Sequence, residues 1–396
     1  MTPSARRRDV VLLFGALGTF FLSISMLLPT LPLYIRDLGG SPVDVGIVTG
    51  IFSIGVLVVR PWVGKAVDTR GRRPVLLLGS LLAAAMAPFY IGFTAISFLI
   101  AIRIVHGIGL SAFTGASTTL VTDLAPPERR TEFLGYLSTS SILAFALGPL
   151  LGIEIAERLG YPALFTAFGL FALASAGLGA RLSKPPPCED PDQPVDYRAA
   201  IVRRQVLVPT VTLLLVTLAH GGAFTFLPIL LEARLPFNFG LFFLAYAGAS
   251  LLIRLAAGGL SRRWGDGPMV WGGLATYAVG MALLPLITGM GSMLASALLF
   301  GLGFGAFQPA VYGLVANAAS DRTRGMVFSV FLGAFDLGIA LGGLVAGLVV
   351  ARFGIPELLY GLSVVPLAAA ALFVATLGWR PDPTACAVPA EVTVPS

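Results

Sequence analysis

The sequence has 396 residues, of which 56% are hydrophobic and only 12% are charged, and its formal net charge is +6. A soluble domain has about 25% charged residues, so this composition excludes an ordinary water-soluble globular protein. The apolar residues form blocks of about 20 residues or more, which is long enough to cross roughly 30 Å of hydrocarbon. The sequence therefore predicts an all-α polytopic membrane protein, and we attribute its positive charge to membrane topology rather than to nucleic-acid binding.

Twelve apolar segments follow one another along the chain, and each is predicted to be one transmembrane helix. The ARRRD segment before the first one imitates a signal peptide, but the apolar run after it is too long for that, so we predict an uncleaved helix. The predicted spans are residues 10–36, 43–66, 74–94, 97–124, 131–157, 162–182, 205–232, 239–261, 268–289, 291–319, 325–351 and 356–379.

An even number of spans places both ends of the chain on one side of the membrane. Most of the 26 Lys and Arg residues fall on that side, and the loops opposite carry Arg36, Arg158, Arg234 and Arg352. The positive-inside rule therefore predicts that both termini are cytoplasmic. Glu154, Glu157 and Glu232 then lie at the outer ends of spans, where we expect them to be solvated.

The longest polar stretch, residues 183–204, is rich in Pro and acidic residues and follows the sixth span. It is typical of a flexible linker. We predict an N-terminal six-helix bundle over 1–182, a cytoplasmic linker over 183–204, a C-terminal six-helix bundle over 205–379 and a cytoplasmic tail over 380–396. The two cysteines, Cys188 and Cys386, lie in the linker and the tail, which indicates no disulfide framework.

The two halves resemble each other when one is shifted by 194 residues. The shift aligns VVRPWVGKAVDTRGRRP with LIRLAAGGLSRRWGDGP, VHGIGLSAF with LFGLGFGAF and ERLGYP with ARFGIP. Arg60 then matches Arg254, and Gly71 matches Gly265. A duplicated six-helix unit predicts two pseudo-symmetric bundles around a central cavity, which is a recurring design of secondary transporters.

The segment GKAVDTRGRRP between spans two and three resembles the signature loop of the major facilitator superfamily, with Thr69 departing from the usual basic residue. The matching residues are Gly64, Asp68, Gly71, Arg72 and Arg73. The resemblance implies a conformational latch, in which Gly71 permits a tight reversal and Asp68 faces the positive N-terminal end of span eleven. The alternative is that the arginines serve only to orient the chain in the membrane.

Span four contains AIRIVHGIGLSAF, which resembles the R-x-x-Q-G-x-G motif of the same superfamily, with His106 in place of Gln. Arg103 and His106 share one helix face, and an Arg within a span is costly unless it faces a wet cavity or a partner. This pattern indicates a site for substrate or for proton relay. Alternatively, Arg103 extends to the outer interface.

Span five resembles the G-P-x-x-G-G motif of drug:proton antiporters through Gly148, Pro149 and Gly152, with Ile153 in place of the last Gly. The resemblance implies export. The alternative is generic close packing by a Gly-rich helix that Pro149 bends.

Asp336 is predicted near the middle of span eleven and His220 near the middle of span seven, where ionisable groups are candidates for proton coupling. In the superfamily, spans two and eleven face each other across the halves. We therefore hypothesise that Arg60 pairs with Asp336 until the carboxylate takes a proton. Arg60 could instead extend to the inner surface, and His220 could simply bond a neighbouring helix. Other polar side chains could line a cavity, although hydroxyls of this kind more often bond carbonyl groups of their own helix. They are Ser138, Ser140, Ser141, Gln308, Tyr312 and Asn317.

These features predict a secondary transporter that alternates access to a small-molecule substrate, and within that class they favour proton-coupled export. Alternatives are proton-coupled import of a sugar or other metabolite and a sensor that does not transport. No clustered ligands or nucleophiles indicate an enzyme, and no P-loop motif indicates ATP as the energy source. We expect no cofactor, no metal and no nucleic-acid partner, and a monomer in a prokaryotic inner membrane.

Overall fold

The computed structural model describes residues 3–124, 130–183, 202–319 and 324–377, and within these ranges the chain contains helices and no strands. Twelve long helices are present, as predicted, and a short 3₁₀ turn at Leu284–Leu286 joins the ninth to the tenth. The helices are α1 Pro3–Asp37, α2 Pro42–Arg70, α3 Arg72–Gly92, α4 Ile96–Leu124, α5 Arg130–Leu159, α6 Tyr161–Gly179, α7 Arg204–Arg234, α8 Gly240–Trp264, α9 Asp266–Leu283, α10 Met290–Ala318, α11 Arg324–Phe353 and α12 Ile355–Leu377.

Eleven of the helices are long and apolar enough to cross a membrane, judged by length and composition over the described residues. The remaining one, α5, includes residues 130–139, whose side chains lie outside the described part. We call the end of the bundle at which α1 begins and α12 ends the terminal face, and the opposite end the far face. Residues 184–201 of the predicted linker lie outside the described residues, as do residues 378–396, which include the whole predicted tail.

The two halves repeat the same helix packing. In the first half the five most extensive contacts are α1 with α5, α1 with α6, α2 with α4, α3 with α4 and α3 with α6. In the second half they are the same five pairs raised by six: α7 with α11, α7 with α12, α8 with α10, α9 with α10 and α9 with α12. The predicted pair of pseudo-symmetric six-helix bundles is therefore confirmed.

Single glycines at equivalent positions connect the helices. Gly71 and Gly265, with φ of 91° and 90°, end α2 and α8, and Gly160 and Gly354, with φ of 83° and 103°, precede α6 and α12. Only glycine adopts these angles without strain. The expectation of a loop across the GKAVDTRGRRP segment is wrong, because α2 continues to Arg70 and the chain reverses at Gly71 alone.

The halves meet along α2 with α11, α5 with α8 and α1 with α7. Near the far face this contact is made by backbone. A Cβ added at Gly46 would lie 2.4 Å from the carbonyl oxygen of Gly343, and one at Gly50 would lie 2.6 Å from that of Ala340. We call these contacts, together with that of Gly347 against Pro42, the glycine seam. The helices approach this closely because the residues at the seam carry almost no side chain.

Candidate functional site

Arg60 and Asp336 form an ion pair between the two halves, in which Nη2 of Arg60 donates to Oδ2 of Asp336. By helical rise, Arg60 lies about 15 Å from the terminal end of α2 and Asp336 about 18 Å from that of α11, so the pair is near mid-depth. The side chains remain 29% and 14% exposed, so the pair is partly and not fully enclosed by protein. The contact that the sequence hypothesis requires is present.

Arg254, the repeat equivalent of Arg60, has a different partner. Its Nη2 donates to Oε1 of Gln308 on α10, within the same half. Its Nε is buried without a hydrogen-bond partner among the described residues. The repeat equivalent of Asp336 on α5 is Ile142, so that position offers Arg254 no carboxylate. Of the two symmetric arginines, only Arg60 therefore has an acidic partner among the described residues.

Tyr312, one helical turn after Gln308, brings these groups into one cluster. Gln308 and Tyr312 are residues i and i+4 of one helix and so share a face of α10, and the Tyr312 ring packs against Phe331 of α11 with centroids 4.9 Å apart. We give the name polar cluster to five side chains, those of Arg60, Arg254, Gln308, Tyr312 and Asp336. It draws on α2, α8, α10 and α11, and so it touches both halves at one depth.

Arg103 and His106 lie inside the first half, between α2, α3 and α4. The guanidinium of Arg103 stacks 3.9 Å above the centre of the Phe52 ring, and its Nε donates to the carbonyl oxygen of Val48 at 3.2 Å. His106 is fully buried, with Nδ1 3.3 Å from the hydroxyl of Tyr90. Arg103 therefore turns inward rather than toward the outer interface, and the two side chains share a packed site instead of an open cavity.

Nε2 of His106 is buried without a hydrogen-bond partner among the described residues. A glycine on α4 explains the tight fit, and the second half repeats the arrangement. A Cβ at Gly107 would lie 2.2 Å from the carbonyl oxygen of Phe52. In the second half, a Cβ at Gly301, the repeat equivalent of Gly107, would lie 2.3 Å from the carbonyl oxygen of Tyr246. Gly107 is therefore required for α2 and α4 to pack against each other.

His220 lies in an aromatic cluster of the second half. Its Nδ1 is 2.9 Å from the hydroxyl of Tyr277, and its ring stacks on Phe224 and Phe304 with centroids 4.1 and 4.7 Å away. Each half thus contains one His–Tyr pair. Across the described residues, no three His, Cys, Asp or Glu side chains are grouped so as to hold a metal ion.

The residues of the predicted latch contact their own half. Nε of Arg72 donates to Oδ2 of Asp123 at 3.0 Å, and Arg73 donates to the carbonyl oxygen of Ala180. Gly64 has open space around it. The side chain of Asp68 and residues 320–323 before α11 lie outside what the structure describes, so the predicted contact between the halves stays a prediction.

Gly148 and Gly152 of the fifth-helix motif pack against α1. A Cβ at Gly148 would lie 1.9 Å from Oγ of Ser25, and one at Gly152 would lie 2.5 Å from the carbonyl oxygen of Met26. Oγ of Ser25 also donates to the carbonyl oxygen of Ala144 at 2.8 Å. Pro149 lies within the same helix. The motif therefore fixes the packing of α5 on α1 within the first half.

At the far face, Arg36 on α1 pairs with Glu232 on α7, and the amide nitrogen of Asn238 donates to Glu154 at 3.1 Å. Both contacts join the halves. The expectation that Glu154 and Glu232 are merely solvated is incomplete: the side chains are 40% and 37% exposed, but each also has a partner across the halves. The partners are far apart in the sequence, so no local pattern could have indicated them.

Comparison with known proteins finds a matching family model and relatives that are named as transport proteins. A family model described as Major Facilitator Superfamily matches residues 13–290 and 236–392. The staphylopine export protein of Staphylococcus aureus is 24% identical over 83% of this chain and 86% of its own length. The quinolone resistance protein NorA of the same species is 25% identical over 38% of this chain and 39% of its own.

Among solved structures, a bacterial homologue of the human lysosomal transporter Spinster, in an inward-facing and occupied conformation, superposes with a TM-score of 0.82. It is 16% identical and covers 98% of this chain and 100% of its own. At that identity the likeness concerns the fold alone.

Proposed function

The chain belongs to the major facilitator superfamily, and from that premise we propose that it exports a small organic molecule by proton-coupled alternating access. Its family and fold are those of transporters, and a transporter of this fold acts on small molecules within the membrane. The proposal extends to a drug-like or amphipathic cargo, to energy drawn from the proton gradient without ATP, and to a monomer in a prokaryotic inner membrane with both termini cytoplasmic.

The Arg60–Asp336 ion pair carries this proposal. It joins the halves near mid-depth. In a low-dielectric environment the attraction between two opposite charges is strong, and it is lost when either group is neutralised. A proton taken up by Asp336 removes the negative charge and with it the attraction between the halves. The protonation state of one carboxylate thereby biases the relative position of two rigid bundles, which is the physical requirement for coupling.

Alternating access requires that the contacts at the far face separate. In this structure the halves are closed there by the glycine seam and by the Arg36–Glu232 pair. Of the described hydrogen bonds between the halves, Arg60–Asp336 is the one closest to the terminal face. Protonation at this position therefore acts on contacts between the halves nearer the terminal face, which the far-face contacts do not control.

Export is favoured by the relatives and by the α5 motif. The curated relatives above include one named for staphylopine export and one for quinolone resistance, and both come from a bacterium. Gly148, Pro149 and Gly152 match the motif that resembles those of drug:proton antiporters.

The first test is the accumulation of fluorescent cationic dyes, antibiotics and labelled metabolites in efflux-deficient bacterial cells. Cells expressing the wild-type chain are compared with cells expressing Asp336→Asn, with empty-vector cells, and with each after treatment with a protonophore. Glu357→Gln is the matched control, because Glu357 is an exposed carboxylate at the far end of α12. We expect lower accumulation in wild-type and Glu357→Gln cells, abolished by the protonophore and absent in Asp336→Asn cells.

Other outcomes would redirect the proposal. Higher accumulation in wild-type cells would identify an importer, and equal accumulation across a broad panel would favour a narrow cargo range or a sensor without transport. A charge-swapped double variant, Arg60→Asp with Asp336→Arg, tests the pair itself. If each single variant is inactive and the double variant recovers no transport, the pair does not act through mutual attraction.

A further inference from the structure

The second arginine of the repeat, Arg254, has an environment that its symmetry mate does not share. Arg60 has a carboxylate partner, whereas Arg254 donates only to the neutral amide of Gln308. Among the described residues no ion pair involves Arg254, and its Nε, like that of Arg60, is buried without a hydrogen-bond partner. The described hydrogen-bond partner of this guanidinium is therefore a neutral amide and not an opposite charge.

Arg254 points into the protein rather than toward lipid. On α8, Leu252 and Leu255 are 67% and 75% exposed and mark the outward face of the helix. Arg254 lies on the side away from both by helical periodicity and is only partly exposed. Its guanidinium is therefore directed toward Gln308 on α10, inside the second half.

The polar cluster carries a net positive charge. Two guanidiniums, Arg60 and Arg254, face one carboxylate, Asp336, while Gln308 and Tyr312 are neutral. A positive cluster with low-dielectric walls concentrates anions. A buried guanidinium also gains most from a planar, doubly accepting partner, because its parallel N–H groups match the two oxygens of a carboxylate.

We propose that Arg254, Gln308 and Tyr312 form an anion subsite that binds a carboxylate group of the transported molecule. Arg254 supplies the charge and paired N–H donors, the amide nitrogen of Gln308 supplies a further donor, and the hydroxyl of Tyr312 supplies another. The inference rests on the proposed function, since it names the class of cargo that this transporter accepts. Arg254 thus binds the transported molecule, while Arg60 pairs with the carboxylate that takes up the proton.

Binding is tested on the full-length protein purified in detergent, without any ion gradient. Thermal unfolding is followed by intrinsic fluorescence over a concentration series of benzoate, salicylate and decanoate. Each carboxylate is compared with its neutral amide and with the amine of the same skeleton. We expect at least one carboxylate to raise the unfolding temperature in a saturable manner, while its amide and amine do not.

Two variants assign that binding to the subsite. Arg254→Gln should weaken the apparent affinity for the carboxylate about tenfold or more, as expected for loss of a hydrogen bond to a charged group. Gln308→Glu keeps the arginine and gives it an internal carboxylate, so we expect a protein of equal or higher unfolding temperature that no longer responds to the ligand. Arg263→Gln, at an exposed position on the same helix, is the matched control and should bind as the wild type does.

The outcomes separate this inference from the proposed function. If no carboxylate stabilises the wild type more than its amide, or if Gln308→Glu retains the response, the anion subsite is refuted, whatever the cells export. If a carboxylate binds and both variants lose it while no proton-driven flux occurs, the subsite stands and the proposed export fails.

Discussion

The glycine seam between α2 and α11 makes a quantitative prediction about the conformational equilibrium. The substitution is Gly46→Ala, which adds one Cβ at the far face. That atom would lie 2.4 Å from the carbonyl oxygen of Gly343 and 3.0 Å from Cα of Gly347. Non-bonded atoms pack at about 3.5–4.0 Å, and both neighbours are backbone atoms that cannot rotate away, so the helices must separate by roughly 1 Å.

Overpacking of this kind costs about 1–3 kcal/mol. The cost arises only while the far face is closed, because the two helices are in contact only then. Destabilising one of two states by this amount raises the ratio of the other state to it about 5- to 150-fold. We therefore expect Gly46→Ala to favour the conformation in which the far face is open.

The assay measures how fast a membrane-impermeant maleimide labels a cysteine placed behind the seam. Thr225 is a suitable position, since it is 6% exposed and its Oγ1 lies 3.4 Å from that of Thr49 across the halves. Both native cysteines are replaced by serine first. Gly248→Ala is the control, because a Cβ at Gly248 meets nothing within 4 Å. We expect labelling from the far face to accelerate at least fivefold in Gly46→Ala alone; equal rates in the two variants would refute the reasoning.

Further predictions concern the far-face ion pair, the packing of α5 and the orientation of the chain. Arg36→Gln, which removes the partially exposed pair with Glu232, should increase far-face labelling less than Gly46→Ala does, by up to about fivefold, and the difference should vanish in high salt. Gly148→Ala should lower the unfolding temperature of the purified protein, as about 1–3 kcal/mol of overpacking requires, whereas Gly177→Ala, which meets open space, should not. The two native cysteines should react with an impermeant maleimide in inside-out vesicles and stay unlabelled in intact cells; the reverse pattern would contradict cytoplasmic termini.

The fold could be predicted from the sequence because its determinants are local. Length and hydropathy indicate each membrane-spanning segment, and the 194-residue repeat places Gly71 on Gly265 before any coordinates are known. The structure adds that both glycines have φ near 90° and that the reversal needs one residue. The length of the connection was mispredicted because charged residues suggested a loop, whereas backbone hydrogen bonds continue α2 through them.

The site could be predicted only where a functional residue is unusual in its own segment. An acidic residue in the middle of an apolar span identified Asp336, and the facing of two spans suggested Arg60. The Arg254–Gln308 bond and the Arg36–Glu232 pair depend on side-chain directions between distant segments, which hydropathy does not encode. Arg103 illustrates the same limit: its position in the span was evident, but its stacking on Phe52 was not.

The glycine seam also has a consequence for the rate of the transport cycle. Helices that meet through interlocked side chains must reorganise several rotamers before they part, and each such step adds to the activation barrier. At this seam the contacting groups are α-carbons and carbonyl oxygens, whose weak interactions are made and broken without any change of side-chain conformation. The surface that must open in every cycle therefore has no interlocked side chains. Its opening can be fast even though the backbones of the two helices are in direct contact.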